Sequence, residues 1–288
     1  ELIASGAGAI ITPIIADVTD RARMEAVFSR FKPDLVLHAA AHKHVPMMES
    51  QPGEALKNNT LGTATVAELA SLYKAKGFVL VSTDKAINPT NVMGASKRLA
   101  EIVVQSQQSR PGNLTRFIAV RFGNVLGSSG SVIPAFKKQI AAGGPVTVTH
   151  PDVQRYFMTI PEAVGLVLQS ATQGRGGDIL VLEMGKPMKI VDLARQLIEL
   201  SGLRPDLDIE IKITGLRPGE KMIEELQHHG EAYHKTTHDR IFRFIGPPLP
   251  FEQLPKFLEA IHSLIPLEKE QCKQGIKQLV PEYVPYLD

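Results

Sequence analysis

The chain has 288 residues, enough for one large α/β domain or a large domain with a smaller companion. Hydrophobic residues make up 43% and charged residues 22%, ordinary globular usage, and a net charge of +2 provides no field for nucleic acid or an anionic membrane. The single cysteine, Cys272, excludes an internal disulfide and fits a reducing, cytoplasmic setting, where it reads as a bland helical residue.

Along the first two-thirds, short strands alternate with helices, the pattern of a mostly parallel sheet covered on both faces. Ile10 to Ala16 reads as a strand and Asp20 to Phe31 as a helix, with Met24, Val27, Phe28 and Phe31 on one face. A buried strand follows at Asp34 to His38, then a long helix from about Pro52 to Tyr73. Phe78 to Ser82 is the next strand, Asn91 to Gln107 a helix, Arg116 to Arg121 a strand and Val132 to Ala142 a helix.

The texture then changes. Gly143-Gly144-Pro145 is a break, followed by a β run at Val146 to Thr149. A helix fits Pro161 to Thr172, with proline in the first turn where its missing N–H costs nothing. Asp178 to Glu183 is a strand, Ile190 to Leu200 a helix and Ile209 to Ile213 a strand. From Pro247 onward two helices are expected at the periphery. No apolar run approaches the ~18 residues that span a bilayer, so a soluble segment without membrane contact is expected.

The chemistry concentrates at Val81-Ser82-Thr83-Asp84-Lys85-Ala86 and Asn91-Val92-Met93-Gly94-Ala95-Ser96-Lys97. A strand ending at Ser82 delivers Thr83, Asp84 and Lys85 to its carboxyl end, where open α/β sheets bind ligands. Met93 and Lys97 are four apart, hence on one helix face. A hydroxyl, an acid and two amines in one crevice suffice for managed proton transfer. Taken alone, the same residues also fit a surface turn with a solvated Asp-Lys pair followed by an amphipathic helix.

Further motifs decide between those readings. Ala39-Ala40-Ala41-His42-Lys43-His44-Val45-Pro46, Asn59-Thr60-Leu61-Gly62-Thr63, the Ser82-to-Lys97 block, Arg121-Phe122-Gly123-Asn124-Val125 and Arg217-Pro218-Gly219-Glu220-Lys221 occur in order. Together, over roughly residues 10 to 245, they resemble the polysaccharide-biosynthesis branch of extended short-chain dehydrogenases/reductases, whose members include UDP-N-acetylglucosamine 4,6-dehydratases. The resemblance implies a doubly wound, Rossmann-type parallel sheet with a smaller C-terminal α/β substrate lobe. Residues 1–145 would form the dinucleotide-binding domain, residues 146–246 the substrate lobe with some return to the sheet, and residues 247–288 peripheral helices.

It also implies a tightly bound, recycled NAD or NADP and a UDP-sugar substrate. Cofactor contacts then fall on Asp17 and Val18 after the first visible strand, on Ala39, Ala40, Ala41 and Lys43, on Asn59, Ser82 and Phe122, and on Lys97, the lysine that holds the nicotinamide ribose. The three alanines also fit tight helix-sheet packing, and both readings can hold together. Catalysis falls on Thr83, Asp84, Lys85, Met93 and Lys97. His44, Asn124, Ser131, Val132, Phe136, Arg155, Arg217 and Glu220 are expected at the sugar-nucleotide, the arginines because a planar fork suits a diphosphate. Read by itself, Arg155 also fits a surface salt bridge. A homo-oligomer and a cytoplasmic location are expected, in some parents as the cytoplasmic domain of a membrane-anchored protein.

Two departures stand out. Met93 replaces the tyrosine usual in the superfamily four residues before the lysine, as in the family's larger members; a thioether neither takes nor donates a proton, so Thr83 with Asp84 or a water is expected at the C4 hydroxyl. No glycine-rich phosphate-binding turn is present: Gly6-Ala7-Gly8 is not one, and the chain begins with Glu1. It is expected to be a fragment that starts after the first strand-helix unit and binds cofactor poorly alone. The histidines at 42, 44, 228, 229, 234 and 238 read as loop imidazoles, with no metal expected. Asp84-Lys85 favours a 4,6-dehydratase over a 4-epimerase, and the retained Thr83, Asp84, Lys85 and Lys97 over a non-catalytic nucleotide-binding scaffold.

Overall fold

The structure, a computed structural model, describes residues 8–226, 233–244 and 246–287. Helix α1 (Arg21–Phe31) starts on Asp20, whose carboxylate accepts from Arg23 N at 2.9 Å, an N-cap that satisfies one otherwise orphaned donor. Strand β1 (Leu35–His38) leads into α2 (Val45–Ser50) and α3 (Pro52–Ala55). A π-helical stretch over Leu56–Gly62 then joins α4 (Thr63–Leu72). Strand β2 (Gly77–Val81) ends in a 3₁₀ turn at Asp84–Ala86, and α5 (Val92–Gln108) returns to β3 (Arg116–Arg121).

Beyond β3 lie β4 (Asn124–Val125), α6 (Val132–Ala141), β5 (Val146–Val148), β6 (Gln154–Arg155), β7 (Phe157–Met158) and α7 (Ile160–Gln173). Then follow β8 (Asp178–Leu182), β9 (Met188–Lys189), α8 (Ile190–Leu200), β10 (Ile211–Ile213), β11 (Tyr233–Lys235) and β12 (Ile241–Phe244). Helices α9 (Leu254–Leu264) and α10 (Lys269–Leu279) complete the described chain.

The main sheet runs β1-β2-β3-β8-β12-β11. Its first four strands are parallel, and β12 and β11 add an antiparallel edge. Phe78 on β2 and Phe117 on β3 are register partners, fully buried, with ring centroids 5.4 Å apart. Burying each contributes about 1.5–3 kcal/mol. Helix α5 packs across the sheet with both faces covered, which a 17-residue helix achieves only by being buried along most of its length.

Three expectations need correction. Ile10 to Ala16 forms no strand: among the described residues nothing pairs with it, and Ile10 and Ile15 are almost fully exposed. The outer edge of β1 is also unpaired among the described residues and leaves Leu35 and Leu37 half-exposed. The helix expected from Pro52 to Tyr73 is interrupted by the π-helical stretch around Asn59, a distortion that side-chain spacing cannot reveal and that often marks functional sites. Helix α2 and the β11–β12 hairpin add elements without an advance signal. His234 lies within β11 rather than in a loop, and His228 and His229 lie outside the described residues.

The last two helices do more than decorate the surface. Ile261, Cys272, Ile276, Val280 and Tyr283 are buried with Met48, Leu56, Val92 and Leu99 in one apolar cluster. Lys273, itself buried, pairs with Glu49 at 3.1 Å, while Glu49 accepts from the first backbone N–H of α5. The C-terminal segment therefore holds the start of α5 in place, and with it the site.

Candidate active site

Strand β2 points its carboxyl end into a cleft of about 450 Å³. Thr83, Asp84 and Lys85 follow directly, and the 3₁₀ turn folds them back on themselves. Asp84 is 1% exposed. Its Oδ1 accepts from Thr83 Oγ1 at 2.9 Å and from Lys85 Nζ at 3.1 Å. Its Oδ2 receives no hydrogen bond from the described residues and faces the bare backbone of Gly123, where a Cβ would lie 2.9 Å away. An unpaired buried carboxylate oxygen is costly, and here it lies beside the cleft.

Lys85 Nζ also donates to Asn124 Oδ1 at 3.3 Å and lies 3.4 Å from Glu224 Oε1. Burial pulls its pKa down, but Asp84 and Glu224 more than offset that and leave it raised. Lys85 is therefore held as an ammonium. The turn is locked from below by α5: at Gly94 the helix comes so close that a Cβ would meet Lys85 O, and Asn91 caps the helix onto Gly94 N at 2.8 Å. Met93, one residue earlier, lines the cleft beside Thr83 and Lys85.

The cleft continues into a second lobe of about 260 Å³. His44, Asn124, Ser131, Arg155, Arg217 and Glu220 line the first part; Val132 and Phe136 line the second with Ser131 and Arg155. Arg155 is 7% exposed, so the surface salt bridge considered for it does not describe its environment. Its guanidinium meets Glu220 at 2.9 Å and Glu224 at 3.8 Å. Glu220 in turn accepts from Thr149 Oγ1 at 3.1 Å and from Arg217 N at 3.1 Å. Arg217 is exposed at the rim, its guanidinium available to an anion.

The cofactor candidates divide by depth. Ala39 and Ala40 are exposed just beyond β1 and present only methyl groups. Asn59, fully buried on the π-helical stretch, clamps His42 through both its backbone N–H (2.7 Å) and its C=O (3.0 Å), and donates to Ser96 Oγ at 2.9 Å. Lys97 is 4% exposed, and burial brings its pKa down to about 8, against an opposing pull from Glu101. It lies close enough to His38, at the end of β1, to help burial in lowering that imidazole to about 3. The alanines beyond β1, the loop clamped by Asn59 and the desolvated amine of Lys97 on α5 are residues that could hold the nicotinamide-ribose portion of a dinucleotide.

Ser82 is spoken for elsewhere, donating to Glu101 at 2.6 Å. Phe122 and Lys43 line the cleft. Asp17 sits apart, exposed, accepting from Thr19 N and Oγ1 at 2.8 and 2.7 Å; the backbone bond is the first cause of its lowered pKa. Val18 packs toward Gly62. Glu224, Gln139 and Thr147 line the cleft without having been singled out in the sequence. The available signal for Glu224 was its place four residues after Glu220 in the segment that follows the Arg-Pro-Gly-Glu-Lys motif. Among the described residues no three His, Cys, Asp or Glu side chains converge on a metal position.

A model of the polysaccharide biosynthesis protein family matches residues 4–245. The chain belongs to that family. It is 57% identical over 231 residues to the capsular polysaccharide biosynthesis protein CapD of Staphylococcus aureus, covering 80% of this chain and 38% of CapD. It is 41% identical over 194 residues to a UDP-glucose 4-epimerase of Rickettsia canadensis (67% of this chain, 55% of that protein). A UDP-N-acetylglucosamine 4,6-dehydratase (inverting) of Campylobacter jejuni matches at 36% over 239 residues (82% and 68%). The chain thus spans about two-fifths of the length of CapD. Its relatives thus include proteins named as nucleotide-sugar dehydratases and epimerases, and its sheet is Rossmann-like. No helix among its described residues is long and apolar enough to cross a membrane.

Proposed function

We propose that the chain carries the catalytic site of an NAD(P)-dependent 4,6-dehydratase acting on UDP-N-acetylglucosamine or a similar UDP-sugar. The observation that carries this reading is the pair of buried Asp84 and partly buried Lys85, 3.1 Å apart, in a cleft rimmed by arginine. Ala39 to Ala41, Asn59 and Lys97 would hold NAD(P), which would supply reversible hydride acceptance from the sugar.

The work of this chain is proton management. Eliminating water across C5 and C6 of a 4-keto sugar needs a base at C5 and an acid at the C6 hydroxyl. Moving one proton along the Lys85–Asp84 hydrogen bond converts the ion pair into a neutral amine and a carboxylic acid, so base and acid arise together. A sugar covering the pair excludes water, which disfavours the separated charges. Lys85 then takes the C5 proton and Asp84 gives its proton to the departing hydroxyl, which regenerates the ion pair. Arg155 and Arg217 are assigned to the diphosphate, and the lobe around Val132 and Phe136 to the nucleoside.

A 4-epimerase is favoured by the resemblance to the Rickettsia enzyme and shares the first hydride step. It has no use for an acid at C6, and a buried acid–amine pair with a free carboxylate oxygen supports dehydration instead. Mass spectrometry of UDP-N-acetylglucosamine incubated with the complete gene product and NAD(P) tests the reading. Loss of one water, abolished in Asp84→Asn, is the expected result. An isomer of unchanged mass would overturn it.

A further inference from the structure

Met93 leaves the C4 hydroxyl without a proton acceptor, since a thioether takes none, and Thr83 is already committed to Asp84. One carboxylate in the cleft has no task so far. Glu224 is 3% exposed, lines the cleft with Thr83, Lys85 and Met93, and its Oε2 accepts no hydrogen bond from the described residues. Its Oε1 lies 3.4 Å from Lys85 Nζ, while Asp84 Oδ1 lies 3.1 Å from the same nitrogen. A single ammonium thus bridges two buried carboxylates, each with one oxygen left over.

We propose that Glu224 is the base that receives the proton of the sugar's C4 hydroxyl, and that Lys85 afterwards passes this proton to Asp84. The second half rests on the dehydratase reading; the first applies to any oxidation at C4. The balance closes. The C4 O–H bond breaks and its proton goes to Glu224, while the C4–H electron pair leaves as hydride to the nicotinamide, oxidising C4 to a ketone. Lys85 takes the C5 proton, the C6–O bond breaks, and Asp84 protonates the hydroxyl, which departs as water. Hydride returns to C6, C5 regains a proton, and Lys85 gives up the one it took, to C5 or to solvent. Glu224 is now protonated, Lys85 neutral and Asp84 ionised; transfer from Glu224 to Lys85 restores the resting ion pair, and Lys85 passes the proton to Asp84 when the next sugar covers them. One proton has entered from the C4 hydroxyl and one has left with water.

The electrostatics agree. Burial raises the pKa of Glu224 and makes it a stronger base than an ordinary carboxylate; Lys85 from the turn after β2, Arg155 from β6 and Lys221 from its own segment pull the other way, while neighbouring Asp84 adds to the rise. A relay through Lys85 also explains why that side chain faces Glu224 as well as Asp84.

The test compares two partial reactions in the complete gene product with NAD(P). In deuterated water, Glu224→Gln should lose dehydration of the UDP-sugar by about a hundredfold or more, the usual weight of a general base. Given the 4-keto-6-deoxy product instead, the same variant should still exchange the C5 proton at close to the wild-type rate, because the ketone is already formed. Glu224→Asp should recover part of the dehydration. Wild-type dehydration in Glu224→Gln, or equal loss of dehydration and exchange, would overturn the proposal. A wild-type enzyme that forms the C4 epimer would sink the dehydratase reading alone, and Glu224→Gln would then be scored on epimerisation. Without substrate, the ¹³C-carboxyl resonance absent from Glu224→Gln should titrate above the ordinary glutamate range and move higher in Lys85→Met. A resonance that Lys85→Met leaves unmoved would contradict the relay.

Discussion

Glu101 is the structural hub beneath the site, and its removal should be costly in a calculable way. It is fully buried on α5, and its Oε1 accepts from Ser82 Oγ at 2.6 Å and Arg121 Nε at 2.8 Å. Its Oε2 accepts from Arg121 Nη2 at 2.7 Å and Arg98 Nη1 at 3.3 Å. Arg121, 2% exposed, ends β3, so the network pins α5 to the carboxyl ends of β2 and β3. Glu101→Gln keeps the shape but leaves the Arg121 cation buried without its counter-charge, a cost of about 3–5 kcal/mol. At about 2 °C per kcal/mol for a chain of this size, melting should fall by roughly 6–10 °C. Differential scanning calorimetry at neutral pH measures it. The double substitution Glu101→Leu with Arg121→Met, which removes both charges, should recover most of the loss. The pair also has a pH signature. Burial pushes the Glu101 carboxyl up, but Arg121, Arg98 and Ser82 more than offset that and hold it below the usual range. A depressed folded pKa means stability present above the ordinary glutamate pKa and lost as pH falls through the folded value. Melting of Glu101→Gln within about 2 °C of wild type, less than 1 kcal/mol on the same scale, would refute the assignment.

Burial holds His38 neutral, with its pKa lowered to about 3. Its unfolded form binds a proton below about pH 6.5, so stability should fall as pH drops from 6.5 toward 3, and His38→Gln should flatten that slope in thermal melts. Gly123→Ala would place a methyl 2.9 Å from Asp84 Oδ2 and 3.1 Å from Met184 Cε; it should cost about 1–3 kcal/mol in urea titrations and disable the acid, so full activity would count against the site. Thr159→Ala breaks a capping box in which the hydroxyl accepts from Glu162 N, and should lower stability by about 1 kcal/mol without touching catalysis.

Much of the fold was legible because it depends on local periodicity. The strands ending at Val81 and Arg121 and the helix that begins after Asn91 carry continuous apolar runs or clean amphipathic spacing. Ile10 to Ala16 has the composition of a strand, yet composition supplies no neighbouring strand, and the segment joins no sheet among the described residues. The short strand at Tyr233–Lys235 escaped notice because its pairing with Ile241–Phe244 is settled by contact with β8, far away in sequence. In the site, adjacency in the chain revealed Thr83, Asp84 and Lys85. Glu224 was hidden for the opposite reason: it lies some 140 positions from Lys85 in numbering and meets it only because the segment after Gly219 folds against Asn91. Arg155 looked like a surface cation because burial is a tertiary property; only packing against Glu220 and Glu224 gives it a buried role.

The most direct measurement is proton NMR of UDP-N-acetylglucosamine with the complete gene product and NAD(P) in deuterated water. The geometry of Asp84 and Lys85 predicts growth of a C6 methyl signal with deuterium at C5, in wild type but not in Asp84→Asn. Accumulation of the C4 epimer with no C6 methyl would contradict it.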